Sequence, residues 1–421
     1  MMQTTTIAPG VTLRCCRDTR FKQGGFSFQL VRPMRKAEAA KNALLPAVLL
    51  RGTNRCPDLR AVTQRLDELY GGAVSPLVRR VGDYQTTGLY CGFMDDRFAL
   101  PGDRVFGPML EFLRELLLDS PKEAGAFLPD FVESEKKNLI STIESDRNDK
   151  RVYAITRLLR SMCAGDSFGV PRLGDTEDVA AITPEDLTRH YEEILRTSPI
   201  ALFYVGSAPE ETVAEAAKAL IAGLPREPMD LPAQTRFTPG AGGDDTEIMD
   251  VAQGKLCMGF TTPITNRDPE MPAMQVCNVV LGGGMTSKLF QNVREKRSLC
   301  YSIDSTYYGA KGILLANAGI DFDKETVTRQ EILNQLAACQ EGEITEGELT
   351  AAKEAIASSL RAVLDSPGAV ESFHSTAALS GMIFTREEYL QAVERVSVAD
   401  VVRCAKTLKL HSTYFLKGES L

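Results

Sequence analysis

Arg294 and Tyr301 stand seven positions apart in "SKLFQNVREKRSLCYS" (287–302). A guanidinium and a phenol can both donate hydrogen bonds to a peptide carbonyl or to the oxyanion of a tetrahedral intermediate. Leu289 and Val293 read as inward positions of a short helix, with Arg294 on the Phe290 face. Ser298 reads as the helix end, and "LCYSIDSTYY" alternates as a strand. That spacing sets an Arg from a helix end near a Tyr from the adjoining strand. On the residues alone, the plainer reading is a snorkelling Arg and a Tyr packed in a hairpin.

Other chemistry-bearing motifs are weaker. "GDSFG" (165–169) fits Gly-x-Ser-x-Gly, which activates a serine only on a sharp strand-to-helix turn. Ser167 instead follows the helical stretch "ITRLLRSMCA" and precedes Pro171, which argues for a loop. "LGGGMTSK" (281–288) lacks phosphate-loop spacing and reads as a tight turn into a helix. His190, His374 and His411 have no second His at metal-ligand spacing. Each reads as a surface or partly buried residue. The stretch "KNALLPAVLLRGT" (41–53) looks like a helix with no functional side chain. Pro46 is tolerated best near a helix start, so this helix is expected to begin close to Leu45 and to pack through Leu44, Val48 and Leu49.

The positioning elements fall into two halves. A Pro- and Gly-rich stretch, "GLPREPMDLPAQTRFTPGAGGDD" (223–245), divides the chain of 421 residues and reads as an exposed linker. "GGFSFQLVRP" matches "GKLCMGFTTP" as an early strand in each half. "GGAVSPLVRRVGDYQTTGLYCGF" matches "SLCYSIDSTYYGAKGILLANAGI" as a strand hairpin. Each half ends in a capped helix, opened by Thr183-x-x-Asp186 or Ser397-x-x-Asp400, and then an apolar strand. The fold class is therefore α+β, with two copies of one domain, each a mainly antiparallel sheet covered by helices. The expected boundaries are 1–222, a linker at 223–246, and 247–421.

Composition narrows the function. A net charge of −8 argues against nucleic-acid binding. The longest apolar run, Ala43 to Leu50, is too short to cross a bilayer, and "MMQTTTIAPG" does not read as a signal peptide. Ten scattered cysteines without Cys-x-x-Cys suit a reducing, cytoplasmic setting.

"LGGGMTSKLFQNVREKRSLCYSI" resembles the C-terminal-domain signature of the pitrilysin/insulinase family of zinc metallopeptidases, in which a Gly-rich turn leads into a helix, an Arg and, seven residues later, a Tyr. "LLRGT" with "PDLRAVTQRLDELYGGAV" resembles the segment after the family's zinc helix, and "ESEKKNLISTIES" (133–145) resembles the later helix that supplies the third metal ligand. The resemblance places the family's His-x-x-Glu-His at Ala43, Pro46 and Ala47. With Glu135 matched to the first glutamate of the later helix, the third ligand position falls on Thr142, and Glu144 is out of phase. No zinc ligand and no general base remain. The resemblance implies a non-catalytic subunit that binds no metal. A homologous zinc-bearing partner would supply the zinc, while this chain lends Arg294 and Tyr301 to a peptide substrate. The alternatives are a structural or assembly protein of the same fold, which needs no Arg/Tyr pair, and a stand-alone hydrolase using Ser167.

Overall fold

The computed structural model describes residues 2–419. The first half runs β1 (Met2–Ala8), β2 (Val11–Arg17), β3 (Gln23–Pro33), α1 (Lys36–Leu49), α2 (Leu59–Glu68), β4 (Ala73–Val81), β5 (Tyr84–Met94) and α3 (Phe106–Leu118). It continues through a small hairpin, β6 (Lys122–Glu123) and β7 (Ala126–Phe127), to α4 (Pro129–Asn148), α5 (Lys150–Met162), α6 (Thr176–Ala180), α7 (Pro184–Thr197), β8 (Ile200–Gly206) and α8 (Glu210–Ile221). The second half runs β9 (Asp244–Ile248), β10 (Gly254–Thr261), α9 (Met271–Gly282), a π-helical segment (Leu289–Lys296), β11 (Ser302–Tyr308) and β12 (Ile313–Ile320). Helices α10 (Glu325–Glu341), α11 (Glu346–Ala362), α12 (Pro367–Ser380), α13 (Arg386–Arg395) and α14 (Val398–Thr407) then lead to the last strand, β13 (Lys409–Lys417).

The two sheets repeat one topology. The first has the order β4-β5-β3-β8-β2-β1, and the second β11-β12-β10-β13-β9. In each, the hairpin lies at an edge and all pairings are antiparallel except one: β2 with β8, and β9 with β13. Both expected hairpins form, with Val81 opposite Tyr84 and Tyr308 opposite Ile313. The expected caps form as well. Thr183 accepts from the Asp186 N–H, and Ser397 with Asp400 closes a reciprocal capping box.

The chain divides into two compact units, and the division departs from a simple N-half and C-half. One unit comprises Met1–Glu144, Val170–Ala233 and Val363–Thr376; the other comprises Ser145–Gly169, Gln234–Ala362 and Ala377–Leu421. Residues 145–169 thus belong with the second sheet, and 363–376 with the first. The connecting stretch has no regular structure from 224 to 243, and β9 takes up residues 244–246 of the expected linker. It is partly packed, since Phe237 is buried in the second unit.

Strand periodicity explains how each sheet receives its helix. Phe26, Phe28 and Leu30 of β3 face the main core of the first unit, with Leu44, Val48 and Leu49 of α1. The alternate residues Ser27 and Gln29 face the other side, where Glu371 of α12 meets them. Glu371 also takes a two-point ion pair from Arg79, at 3.1 and 2.7 Å. In the second unit α5 packs Leu158 and Met162 against Cys257, Leu315 and Tyr414. Glu247 there accepts from Tyr153, Arg157 and Tyr414.

Candidate functional site

The Arg294 segment is positioned by a close chain crossing. Helix α9 ends in a glycine run, and a Cβ on Gly282 would lie 2.6 Å from Ser305 Oγ and 2.8 Å from Leu289 Cδ1. Only glycine lets the helix end pass that near β11. Ser287 Oγ donates to the Gly284 carbonyl at 2.6 Å, fixing the turn before the π-helical segment. Leu289 and Val293 are fully buried, as their spacing requires. The helix ends at Lys296, and Ser298 adopts a left-handed φ of 50° that turns the chain towards the strand.

Arg294 lies over the Phe290 ring at 4.7 Å and 3.6 Å from Glu295, with its side chain 39% exposed. Tyr301 precedes the edge strand β11, pairs its N–H with the Gly319 carbonyl at 2.8 Å, and is 60% exposed. Its hydroxyl donates to Asp321 Oδ1 at 2.8 Å, and Asp321 is paired in turn with Lys324 at 2.7 Å. The hydrogen bond to Asp321 raises the Tyr301 pKa. Between the two residues Cys300 is buried, and burial pushes its thiol up to about 11 against the opposing charges of Arg294 and Lys324. Both site side chains thus face solvent. The phenol proton is held by Asp321, so the hydroxyl oxygen presents its lone pairs outward.

The first-unit positions are occupied differently from the sequence expectation. Helix α1 is continuous from Lys36 to Leu49, so it does not begin near Leu45; Pro46 lies in its interior. The cost of an interior proline is an unmet carbonyl one turn earlier. Here the Asn42 carbonyl accepts from Thr87 Oγ1 of β5 at 2.6 Å, which replaces the missing N–H. Thr87→Val should therefore destabilise the chain by about 1–3 kcal/mol, as for a buried acceptor left unmade. Adding Pro46→Ala restores a helical donor and should recover most of that loss in denaturant titrations. Strictly additive losses would contradict the substitution of one donor for the other.

The Asn42 side chain extends this network. Nδ2 donates to Gln85 Oε1 at 2.9 Å, and Oδ1 meets His190 Nε2 at 2.7 Å. His190 is buried, which corrects the expectation of a surface or partly buried residue; His374 and His411 are half-buried. The cause is the helix register of α7, which turns His190 inward beside Leu187 and Tyr191.

Ala43 and Pro46 are buried, Ala47 is half-buried, and Thr142 is exposed on α4 with its hydroxyl donating to the Asn138 carbonyl of its own helix at 2.9 Å. Glu135 is paired with Arg51 at 3.3 Å. Two methyls, a proline ring and a hydroxyl already spent on its backbone make no donor set for zinc. Among the described residues no group of three or more His, Cys, Asp or Glu is arranged to hold a metal ion. Ser167 opens a short 3-10 turn (Ser167–Gly169) after α5, so the strand-to-helix geometry of a nucleophilic serine is absent there.

Residues 181–356 match the family model for the peptidase M16 inactive domain. The probable inactive metalloprotease YmfF of Bacillus subtilis is 30% identical over 412 residues, covering 97% of this chain and 96% of that protein. The chain belongs to the pitrilysin/insulinase, or M16, peptidase family. Two solved structures share its fold. A conserved protein from Enterococcus faecalis has a TM-score of 0.93 at 24% identity, with 100% of this chain and 99% of that chain covered. A peptidase M16 inactive domain from Pseudomonas fluorescens has a TM-score of 0.82 at 17% identity, with 100% and 98% covered. In this M16 chain Ala43, Pro46, Ala47 and Thr142, and the exposed Arg294 and Tyr301, therefore sit on the family's architecture. Sequence reasoning missed Asp321 as the partner of Tyr301. The signal was available, because the hairpin pairing sets Tyr301 beside the end of β12, next to Asp321.

Proposed function

We propose that this M16 chain is the non-catalytic subunit of a heterodimeric zinc peptidase. A homologous partner carries the zinc and the general base. This chain contributes half of the chamber and binds the peptide through Arg294 and Tyr301. The observation that supports this reading is the contrast between the two halves: no donor set at Ala43, Pro46, Ala47 and Thr142, against a solvent-facing guanidinium and phenol. The ten free cysteines suit a cytoplasmic location, and among the described residues no helix is long and apolar enough to cross a membrane.

A second reading draws on the contacts that Arg294 and Tyr301 make within the chain. Arg294 over Phe290, and Tyr301 on Asp321, suit a structural or assembly protein of the same fold. The two readings separate in one assay, in which the chain is mixed with its zinc-bearing partner and a quenched-fluorescent peptide is followed. A charged hydrogen bond contributes roughly 1.5–3 kcal/mol, so Arg294→Ala should lower kcat/KM by about 10- to 150-fold. Tyr301→Phe removes a neutral bond and should cost on the order of 1 kcal/mol, about 5-fold. Unchanged turnover by both variants at full heterodimer stoichiometry would favour the assembly role. The purified chain alone should hold no stoichiometric zinc and cleave no peptide; one zinc per chain surviving mild chelation would defeat the non-catalytic assignment.

A further inference from the structure

The second unit contains a cavity of about 340 Å³ between α9, β11, α11 and α13. Helix α9 follows β10 as α1 follows β3, so the cavity lies against the counterpart of the helix that carries Ala43 and Ala47. No Asp, Glu, Lys, Arg or His lines it. Ile356 and Leu360 give it an apolar wall.

Two polar atoms in that lining, Asn278 Nδ2 and the Tyr389 hydroxyl, have no hydrogen-bond partner among the described residues. Asn278 is 4% exposed; its Oδ1 accepts from Ser305 Oγ at 2.9 Å, while no described residue accepts from its Nδ2. Tyr389 is 7% exposed, and no described residue bonds its hydroxyl. Both residues are more than nine-tenths buried, and their free polar atoms open onto the cavity, where a bound group can take the place of water. A charged ligand would meet no counter-charge there and would lose its hydration. An uncharged carbonyl suits the Asn278 amide, and a hydroxyl that both donates and accepts suits an amide. The volume is at the small end for ligand sites, enough for one or two amino-acid units.

We infer that this cavity binds one uncharged peptide unit, its carbonyl on Asn278 Nδ2 and its apolar side chain against Ile356 and Leu360. The site needs neither a partner subunit nor a metal, so it stands apart from the proposed role of Arg294 and Tyr301. The test titrates the full chain with N-acetyl-leucine methylamide by calorimetry and amide chemical shifts. N-acetyl-leucine, which carries a carboxylate, is the charged comparison. One saturable site with a dissociation constant on the order of 1 mM is expected for so small a ligand, with the acid about 10-fold weaker or worse. Ser359 lies exposed on α11 at the cavity mouth, so Ser359→Trp should abolish binding without changing the melting temperature. Asn278→Leu should weaken binding about 10-fold, as for one lost hydrogen bond to a buried donor. If that variant fails to fold, Ser359→Trp decides alone. Absence of saturable binding to the wild-type chain, equal binding by Ser359→Trp, or equal affinity for the acid would each overturn the inference.

Discussion

Replacing Glu371 by alanine should destabilise the first unit by about 3–5 kcal/mol, the range for removing one partner of a buried ion pair. The Glu371 side chain is 1% exposed and accepts from Ser27 at 2.9 Å and Gln29 at 2.8 Å besides its two bonds from Arg79. Alanine would leave Ser27 and Gln29, both fully buried, facing an empty space, and would strand a guanidinium that is only 26% exposed. Glu371→Gln keeps a carbonyl for Ser27, Gln29 and Arg79 Nη1 but loses the charge and sets an NH2 where Oε2 accepts from Arg79 Nη2, so it should cost less than alanine without being neutral. The readouts are denaturant unfolding and hydrogen exchange of the amides between Ala369 and Ser375. Exchange there should accelerate, because Glu371 ties this segment to β3 and β4. A loss below about 1 kcal/mol would show that Val370 and its apolar neighbours Phe203 and Val205 hold the helix without the polar cluster.

That cluster also marks where sequence reading stopped. The duplication was legible because strand alternation and capping residues are local signals: "GGFSFQLVRP" and "GKLCMGFTTP" became β3 and β10, and Thr183 and Ser397 cap the helices they announced. The placement of α5 and α12 was not legible. Helical periodicity says that Leu158 and Met162 share an apolar face, but not which sheet receives it. The alternation Phe26-Ser27-Phe28-Gln29 showed two faces without showing that a glutamate more than 340 positions later would meet the polar one. Pro46 misled for the same reason. Its effect on the helix was read from local rules, while the donor that offsets it, Thr87, arrives from β5. At the candidate site the helix face of Arg294 followed from local pattern, whereas the residues alone read Tyr301 as packed in a hairpin and the structure leaves it exposed. Arg294 on Phe290 is a four-residue helical spacing, whereas Asp321 required the strand pairing to be known.

The same buried network around α1 should make the fold acid-sensitive. Burial, reinforced by the positive charge of Lys41, lowers the His190 pKa to about 4. Glu38 and Asp186 oppose that shift, and Arg32 adds to it. With Asn42 Nδ2 committed to Gln85, Asn42 Oδ1 faces the ring, so Nε2 carries the proton of neutral His190. In the unfolded chain the imidazole protonates near its ordinary value, about 6.5. Between about pH 6.5 and 4 the unfolded chain therefore binds a proton that the folded chain does not. Stability rises with pH across that window and is lost as pH falls through it. A difference of some two and a half pKa units corresponds to roughly 3 kcal/mol by pH 4. His190→Gln removes the titrating group and can still donate to Asn42 Oδ1. The variant should lose roughly 3 kcal/mol less than wild type between pH 7 and 4, read from urea midpoints at each pH. Carboxylates titrate alike in both chains, so the difference isolates the histidine. Parallel stability curves would mean that His190 is hydrated or reorients on protonation, and would remove the network from any account of acid unfolding.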